Sequence, residues 1–570
     1  MSKLITQARY SGLALTLVLA ATAMPTVASE QSLPRLVLQI TVDQLRGDLP
    51  RRYYERLGEG GFRYLLDEGL VYINAHHAHA NTETVVGHAT LATGADPARH
   101  GMIGNVWFDR QEGTAVYGVE DSRYPLVGDG GVDKTTEIDP TQKTARSDGR
   151  SPAAILVSTF SDELNLNLGG RSKIFGVSVK DRGAITLAGH TGKAFWFSKK
   201  NGQFVTSQFY YDSYPQWVQD WNAKDLAADY AGTAWHLLND QSTYLFGDAD
   251  DRPYETNLAG YGRIFPHAFG DRDSRYFTTL LTLSPAGDEI TLDFAKTLFE
   301  NEQLGQDNDT DFLAVSFSST DYVGHIFGPS SLESEDNILR LDRTLAQLFQ
   351  FIDEKVGLEH TLIVLSADHG GPEAPGYLRE LGFEASYISP QEVERVAAIN
   401  ALQARFQVGE ELIRGYFHPY LYLNHELIES NGLDLAEVQA VIAEALTRFD
   451  GIAAAIPNIA LREGDLPETP IVDAVLRNHH PDRSGDVYVV FDPHRFINDF
   501  DGLTVASTHG SPWQYDTYVP IIFAGMDIQP QRVARRVNTT AIAPTLSLLV
   551  GAKPPSGAWE PVLVEVFGNN

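Results

Sequence analysis

Thr361-Leu362-Ile363-Val364-Leu365-Ser366-Ala367-Asp368-His369-Gly370-Gly371 decides the fold. Its first half, 361–365, is short, apolar and β-branched on both faces, the pattern of a strand covered by two layers. Its second half turns abruptly to a carboxylate, an imidazole and two glycines. Five other segments share the first property: 36–42, 174–179, 312–317, 487–491 and 519–523. All six read as buried parallel strands. Helical patterns lie between them. Ile338, Leu341, Leu345, Leu348 and Ile352 recur at spacings of three and four and form one apolar stripe. Stretches 53–66 and 435–446 read as helices too. Alternation of strands and helices predicts an α/β fold, a mostly parallel sheet with helices on both faces. Two stretches depart from that rhythm. Around 190–285 the chain is rich in Trp, Tyr, Asp and Gly; around 374–475 it carries its own helices and a Tyr/Leu-rich run at 415–423. Both read as insertions into one domain spanning 30–570.

Residues 1–29 read as an export signal. Lys3 and Arg9 make a positive start, 11–23 is uncharged and mostly apolar, and Val27, Ala28 and Ser29 are small. An apolar run of about 13 residues is too short to span a bilayer comfortably, which argues against an uncleaved anchor. The expected location is the periplasm or the medium, without a membrane anchor. Among 570 residues there are 44 Lys and Arg, 75 Asp and Glu, a net charge of −31 and no Cys. Absence of cysteine excludes a disulfide framework, a thiolate metal site, a Cys nucleophile, a lipoprotein anchor and a sulfatase whose formylglycine derives from cysteine. The acidic balance argues against a general nucleic-acid binder, whose affinity rests on Lys and Arg. A hydrophobic content of 43% supports a large core.

In open α/β sheets ligands bind beyond the carboxyl ends of the strands. Asp43 follows 36–42. Asp321 and His325 follow 312–317, Asp368 and His369 follow 361–365, and Lys180 and Arg182 follow 174–179. A late loop, Ser507-Thr508-His509-Gly510, adds His509. Parallel strands would bring these together on one sheet edge. Three Asp and three His suit two zinc ions held by carboxylate and imidazole, and two metals about 4 Å apart clamp an in-line phosphoryl transfer. Lys180 and Arg182, two apart on an extended segment, would face the same side; taken alone they read as a solvated charged strand end, and beside the other motifs as a cationic pair that favours a dianionic monoester over a diester.

A hydroxyl nucleophile is sought in Asn81-Thr82-Glu83-Thr84-Val85-Val86-Gly87-His88-Ala89-Thr90. From Val85 on it reads as a helix start with Thr84 near the N-cap, so the Thr84 hydroxyl lies in the positive field of the terminus. An ordinary Thr cap has the same signature. Thr82, Thr90 and Thr93 are rival hydroxyls that spacing does not dismiss. His88 reads as a buried residue orienting this turn rather than as a general base.

These residues resemble the alkaline phosphatase superfamily, within its phosphodiesterase/nucleotide pyrophosphatase branch, and within that the PafA-type periplasmic phosphate monoesterases. Six ordered motifs carry the resemblance: Thr84-Val85-Val86-Gly87-His88-Ala89, His100-Gly101-Met102-Ile103-Gly104-Asn105, Lys180-Asp181-Arg182-Gly183-Ala184, Asp321-Tyr322-Val323-Gly324-His325, Ala367-Asp368-His369-Gly370 and Thr508-His509-Gly510. The resemblance implies an alkaline-phosphatase-like fold and Thr84 as nucleophile and metal-bound oxygen. It implies one zinc on Asp321, His325 and His509, and another on Asp43, Asp368 and His369. Asn105, Lys180 and Arg182 would bind phosphate. The implied enzyme is a two-zinc phosphate monoesterase with a phosphothreonine intermediate, acting on small phosphorylated substrates as a monomer. The alternatives are a phosphodiesterase with the same metals and Thr, and a non-catalytic metal- or phosphate-binding protein of the same fold. Val85-Val86 stands where the family often has Ala-Pro, and Ala541 where an Asp is common.

Overall fold

Adjacency of four strands makes the site. In the computed structural model, which describes residues 33–258, 260–498 and 503–568, a ten-stranded sheet runs Gln531–Val533, Leu70–His76, Tyr518–Gly525, Thr361–Ser366, Leu36–Val42, Asp311–Phe317, Ile174–Ser178, Lys193–Ser198, Gln203–Val205, with Val537–Asn538 paired to Leu70–His76. Thr361–Ser366, Leu36–Val42, Asp311–Phe317 and Ile174–Ser178 are neighbours and mutually parallel. Their register aligns Val42 with Phe317, Thr41 with Ser366 and Ser316 with Ser178, so the four carboxyl ends form one even edge.

Alternate residues of these strands feed opposite layers. Leu36, Leu38, Ile40, Val42, Leu313, Val315 and Phe317 enter one core with Ile338, Leu341, Leu345, Leu348 and Ile352 of the helix Leu332–Lys355. Val37, Phe312, Ala314, Leu362 and Val364 enter another with Ile542 and Leu546 of the helix Ile542–Leu549. Burial on both faces is why each strand reads as an unbroken apolar run.

Two of the six expected parallel strands are antiparallel. Tyr518–Gly525 pairs antiparallel with Thr361–Ser366 and with Leu70–His76. The chain reaches it from the His509 loop, already at the carboxyl edge, so the strand has to run back. Val487–Phe491 lies outside the central sheet, in an antiparallel sheet ordered Ile413–Phe417, Tyr420–Leu423, Val487–Phe491, Ile452–Pro457. Tyr488 and Val490 face one core and Val487, Val489 and Phe491 another, which mimics a parallel-sheet strand in sequence. The helix read over 53–66 is broken into Tyr54–Arg56 and Phe62–Glu68 at Gly58, Gly60 and Gly61. There the Asp342 carboxylate takes the amides of Gly58 and Phe62, both at 2.7 Å. The helix at 435–446 is present as Leu435–Thr447. The export signal at 1–29 lies outside the described residues, and no helix among the described residues is long and apolar enough to cross a membrane.

Candidate active site

Asp43, Asp321, Asp368 and His369 leave the sheet edge within about a turn of their strands, His325 lies one helical turn beyond Asp321, and His509 comes in on a loop. Asp43 follows Val42 directly, and its amide still bonds the Phe317 carbonyl at 2.9 Å. Asp321 and His325 sit one turn apart on the helix Ser319–Phe327 and so share a face. Asp368 and His369 follow Ser366 by two and three residues. The result is two groups, Asp321–His325–His509 and Asp43–Asp368–His369, each with one donor atom per residue within 4.8 Å of the others. The His369 and His509 rings stack at 3.5 Å between centroids and join the groups. A strand spacing of about 4.8 Å sets the two groups side by side.

All three imidazoles are oriented by backbone carbonyls. Nδ1 of His325 lies 2.7 Å from the Ser507 oxygen, Nδ1 of His509 2.8 Å from that of Thr82, and Nδ1 of His369 2.8 Å from that of Gly370. A carbonyl only accepts, so each Nδ1 carries the proton and each Nε2 offers its lone pair, the arrangement of metal-ligating histidines. Among the described residues, Nε2 of His369 and Oδ2 of Asp368 are buried without a well-formed hydrogen bond, although they lie 3.3 Å apart and His88 Nδ1 stands 3.1 Å from the Asp368 oxygen. Three buried carboxylates converge here, and burial with the Asp43 charge raises the Asp368 pKa. Burial would raise Asp43 too, yet the Lys180 ammonium and His369 hold it below the usual range. Such a concentration of charge is stable when cations balance it. Orphaned donors, fixed tautomers and an Asp/His set fit divalent metal ions.

Thr84 opens the helix Thr84–Thr93, with Glu83 at the cap position, one residue earlier than the sequence suggests. Its hydroxyl still stands at the positive end of the helix. The helix reaches the metal strand because position 87 is glycine: a Cβ there would lie 1.8 Å from the Asp368 carbonyl oxygen. The rival hydroxyls are engaged elsewhere. Thr82 bonds the Ser511 carbonyl at 2.9 Å, Thr90 that of Val86 at 2.9 Å and Thr93 that of Ala89 at 2.6 Å. Of the four, only Thr84 lines the cavity. His88 is fully buried, with Nδ1 2.9 Å from the Thr84 carbonyl and 3.1 Å from Asp368 Oδ2, and Nε2 2.9 Å from Ser316 Oγ. It braces the turn.

The cavity holds about 230 Å³. Thr84, Asn105, Arg182, Asp321, His325 and His509 form its polar side; Val106, Pro390, Tyr416, Phe417 and Ile497 form much of the other. Asn105 accepts from the Val85 amide through Oδ1 at 2.9 Å, which leaves its NH2 for the cavity. Lys180 and Arg182 are not on an extended segment: Lys180 caps the helix Asp181–Ala188 and Arg182 lies in its first turn. Arg182 lines the cavity, whereas Lys180 reaches the Asp43 and Asp321 carboxylates and is not among the lining residues. Arg182 Nη2 lies 3.4 Å from Thr84 Oγ1, and Nη1 pairs with Asp139 at 2.8 Å. Lys180 Nζ lies 2.7 Å from Asp43 and 2.5 Å from Asp321. Burial works against this ammonium, but the Asp321 and Asp43 carboxylates overcome it and raise its pKa.

Sequence reasoning missed Asp139, Glu83, Tyr416 and His418. Asp139-Pro140-Thr141 carries a visible signal, an Asp cap before a proline, and the Asp139 side chain does accept from the Thr141 amide. Nothing local marks it as the partner of Arg182. Tyr416 and His418 come from the antiparallel sheet; the two hydrogen-bond at 2.9 Å, and His418 Nε2 donates to the Gly510 carbonyl at 2.9 Å.

Fold and site define a class, an α/β sheet whose carboxyl edge carries two candidate metal-binding groups, Asp321–His325–His509 and Asp43–Asp368–His369, the first of them lining a cavity. The chain belongs to the type I phosphodiesterase/nucleotide pyrophosphatase family, whose sequence model matches residues 37–512. It is 34% identical over 538 residues to the alkaline phosphatase PhoV of Synechococcus elongatus, covering 94% of this chain and 93% of that one. It is 33% identical over 545 residues to the alkaline phosphatase PafA of Elizabethkingia meningoseptica, covering 94% and 95%. A protein of Myroides odoratus named as a calcium-transporting ATPase is 34% identical over 528 residues, covering 92% and 93%. The crystal structure of wild-type PafA superposes with a TM-score of 0.86 at 32% identity, over 94% of this chain and 99% of that one.

Proposed function

We propose that the enzyme is an alkaline phosphatase, a two-zinc phosphate monoester hydrolase that acts through a phosphothreonine at Thr84. The observation that carries the reading is the Thr84 hydroxyl, at a helix N-terminus, 3.4 Å from the Arg182 guanidinium and in one cavity with Asp321, His325 and His509. Names of relatives point the same way, alkaline phosphatase at 33–34% identity over most of the chain. Asp321, His325 and His509 would hold one zinc, and Asp43, Asp368, His369 and the Thr84 oxygen the other. Bound there, the ions supply Lewis-acid stabilisation of the attacking and leaving oxygens and lower the pKa of hydroxyl and water.

The chain's own residues supply the rest. Arg182 and Asn105 grip the nonbridging oxygens and align phosphorus with Thr84 Oγ1, and Lys180 adds a cation for the dianion. Thr84 Oγ1 attacks in line, the ester oxygen departs on the opposite face, and the phosphoryl group rests on Thr84. Water then attacks from the vacated side and returns free phosphate and the Thr84 hydroxyl. Positioning and electrostatics carry such a reaction. The active protein would be residues 30–570, with 190–285 and 374–475 as insertions, exported to the periplasm or medium and monomeric.

Steady-state turnover of an aryl monoester, its methyl diester and the matching sulfate ester on zinc-loaded protein tests the reading. The monoester is expected to have the highest kcat/KM; a diester turned over faster would make the protein a phosphodiesterase instead.

A further inference from the structure

Glu83 is a carboxylate on the wall of a cavity that takes an anion. Like charges repel, most of all in a low-dielectric site, so the residue has to contribute something that outweighs the repulsion. Two ordinary explanations fail on geometry. Glu83 occupies the cap position of the helix Thr84–Thr93, but its side chain makes no cap hydrogen bond. Among the described residues it is not the acid of an ion pair either, since its hydrogen-bond partners there are neutral N–H groups. Its Oε2 accepts from the Asn105 amide at 2.9 Å and from Asn81 Nδ2 at 3.0 Å. Asn81 is in turn anchored by a second bond, Nδ2 to the Ile103 carbonyl at 2.9 Å. The 103–105 segment is close enough that a Cβ on Gly104 would lie 2.9 Å from Glu83 Oε2.

Asn105 is thus held from both sides of the nucleophile. The residue before Thr84 takes the Asn105 main-chain amide, and the residue after it, Val85, donates its own amide to Asn105 Oδ1 at 2.9 Å. Two clamps one residue either side of Thr84 fix the distance and tilt between the attacking hydroxyl and the amide that receives the nonbridging oxygen. We infer that Glu83 is a positioning residue for Asn105, locking hydroxyl and oxyanion donor into one rigid unit. The inference rests on the reading of Asn105 as a phosphate donor.

What positioning requires is an acceptor at Oε2, not a charge. A double-mutant cycle isolates the point. Asn105→Ala, which removes one preorganised donor, is expected to lower kcat/KM for an aryl phosphate by about 10²–10³. Glu83→Ala is expected to cost roughly a tenth of that factor or more, and to change kcat/KM by less than about threefold once Asn105 is already Ala. Glu83→Gln, which keeps the acceptor and loses the charge, is expected to recover most of the loss. A purely structural role would move metal content or the unfolding midpoint, and both are measured on each variant. If Glu83→Ala melts early or loses metal, Glu83→Asp takes its place in the cycle, with the same dependence on Asn105 expected.

Equal fold losses in the parent and the Asn105→Ala background overturn the inference, as does a Gln variant that falls as far as Ala. A substantial Asn105→Ala loss beside a neutral Glu83→Ala overturns it alone. A neutral Asn105→Ala overturns the site reading and this inference together.

Discussion

Removal of the Arg182 guanidinium changes the site by more than one charge. Arg182 is buried, and its Nη1 lies 2.8 Å from Asp139 Oδ2, so truncation to Ala also leaves a buried carboxylate without its cation. Burial alone would raise the Asp139 pKa, and Arg182 with Lys199 holds it below the ordinary range. One unit charge about 5 Å from another, at an effective dielectric near 20, is worth about 3 kcal/mol. A monoester dianion carries one more negative charge than a diester anion. Loss of Arg182 is therefore expected to cost the monoester roughly 10²-fold more in kcat/KM than the matching methyl diester. Part of that loss is unmasked repulsion from Asp139, so adding Asp139→Asn to Arg182→Ala is expected to restore about tenfold for the monoester and little for the diester, by the same Coulomb scaling. The assay is kcat/KM for one aryl phosphate and its methyl diester across the parent and both variants, with metal content matched. Equal fold losses for the two substrates would refute charge reading by Arg182. An added Asp139→Asn that deepens the loss would refute the ion-pair argument.

Thr84→Ala is expected to abolish most turnover while both metals remain, since six donors stay in place; metal analysis beside single-turnover kinetics checks it, and parent-like turnover sinks the nucleophile. Chelation is expected to remove activity reversibly, with zinc restoring more of it than magnesium, because imidazole donors suit zinc and magnesium prefers all-oxygen sites. Acid should weaken the packing around three buried histidines. His77 and His100 are fully buried, and burial pushes both down to about 3; burial likewise takes His79 well below its ordinary value. Depressed histidines contribute stability that is present above pH 6.5 and lost as pH falls toward 3, because the unfolded chain binds those protons first. The effect is opposed by Asp288 and Asp516, which burial pushes up to about 7 and which take up protons in the folded state first, so it is read as a difference between the parent and a His79→Gln variant. A urea midpoint that falls as steeply between pH 7 and 5 in the variant as in the parent would refute that assignment.

The central strands and the gathering of the six Asp and His residues into two groups were legible in the sequence. A doubly buried strand is an apolar run, and Asp43, Asp321, Asp368 and His369 stand within a few residues of the end of one. Strand direction was not legible at Val487–Phe491 or Tyr518–Gly525, because a strand covered on both faces looks the same whichever way it runs. The pairing of Arg182 with Asp139, 43 residues apart, left no trace either, since ion pairs across loops have no period. Glu83 was quoted within the nucleophile motif and given no role, because its partner Asn105 lies 22 residues on. Local chemistry marks which residues gather as candidate donors; what holds them in place is mostly long-range, and sequence is silent about it.

A net charge of −31 has to coexist with a site that binds phosphate. Exposed charges are screened over about 8–10 Å at moderate salt, whereas buried ones are not. Lys180 and Arg182 are both buried, at 0% and 3% exposure, and each is paired with carboxylates, Lys180 with Asp43 and Asp321 and Arg182 with Asp139, so their fields act locally while the acidic surface sets the long-range field. Substrate capture should therefore depend on salt in the unusual sense: at low ionic strength the acidic surface repels a phosphate dianion and slows its approach, and added salt relieves the repulsion. The expected result is a kcat/KM for a small monoester that rises severalfold from 10 to 150 mM salt, with kcat unchanged. A kcat/KM that falls over that range would mean that the cationic pair is reached through the long-range field, and that the screening argument has the wrong sign.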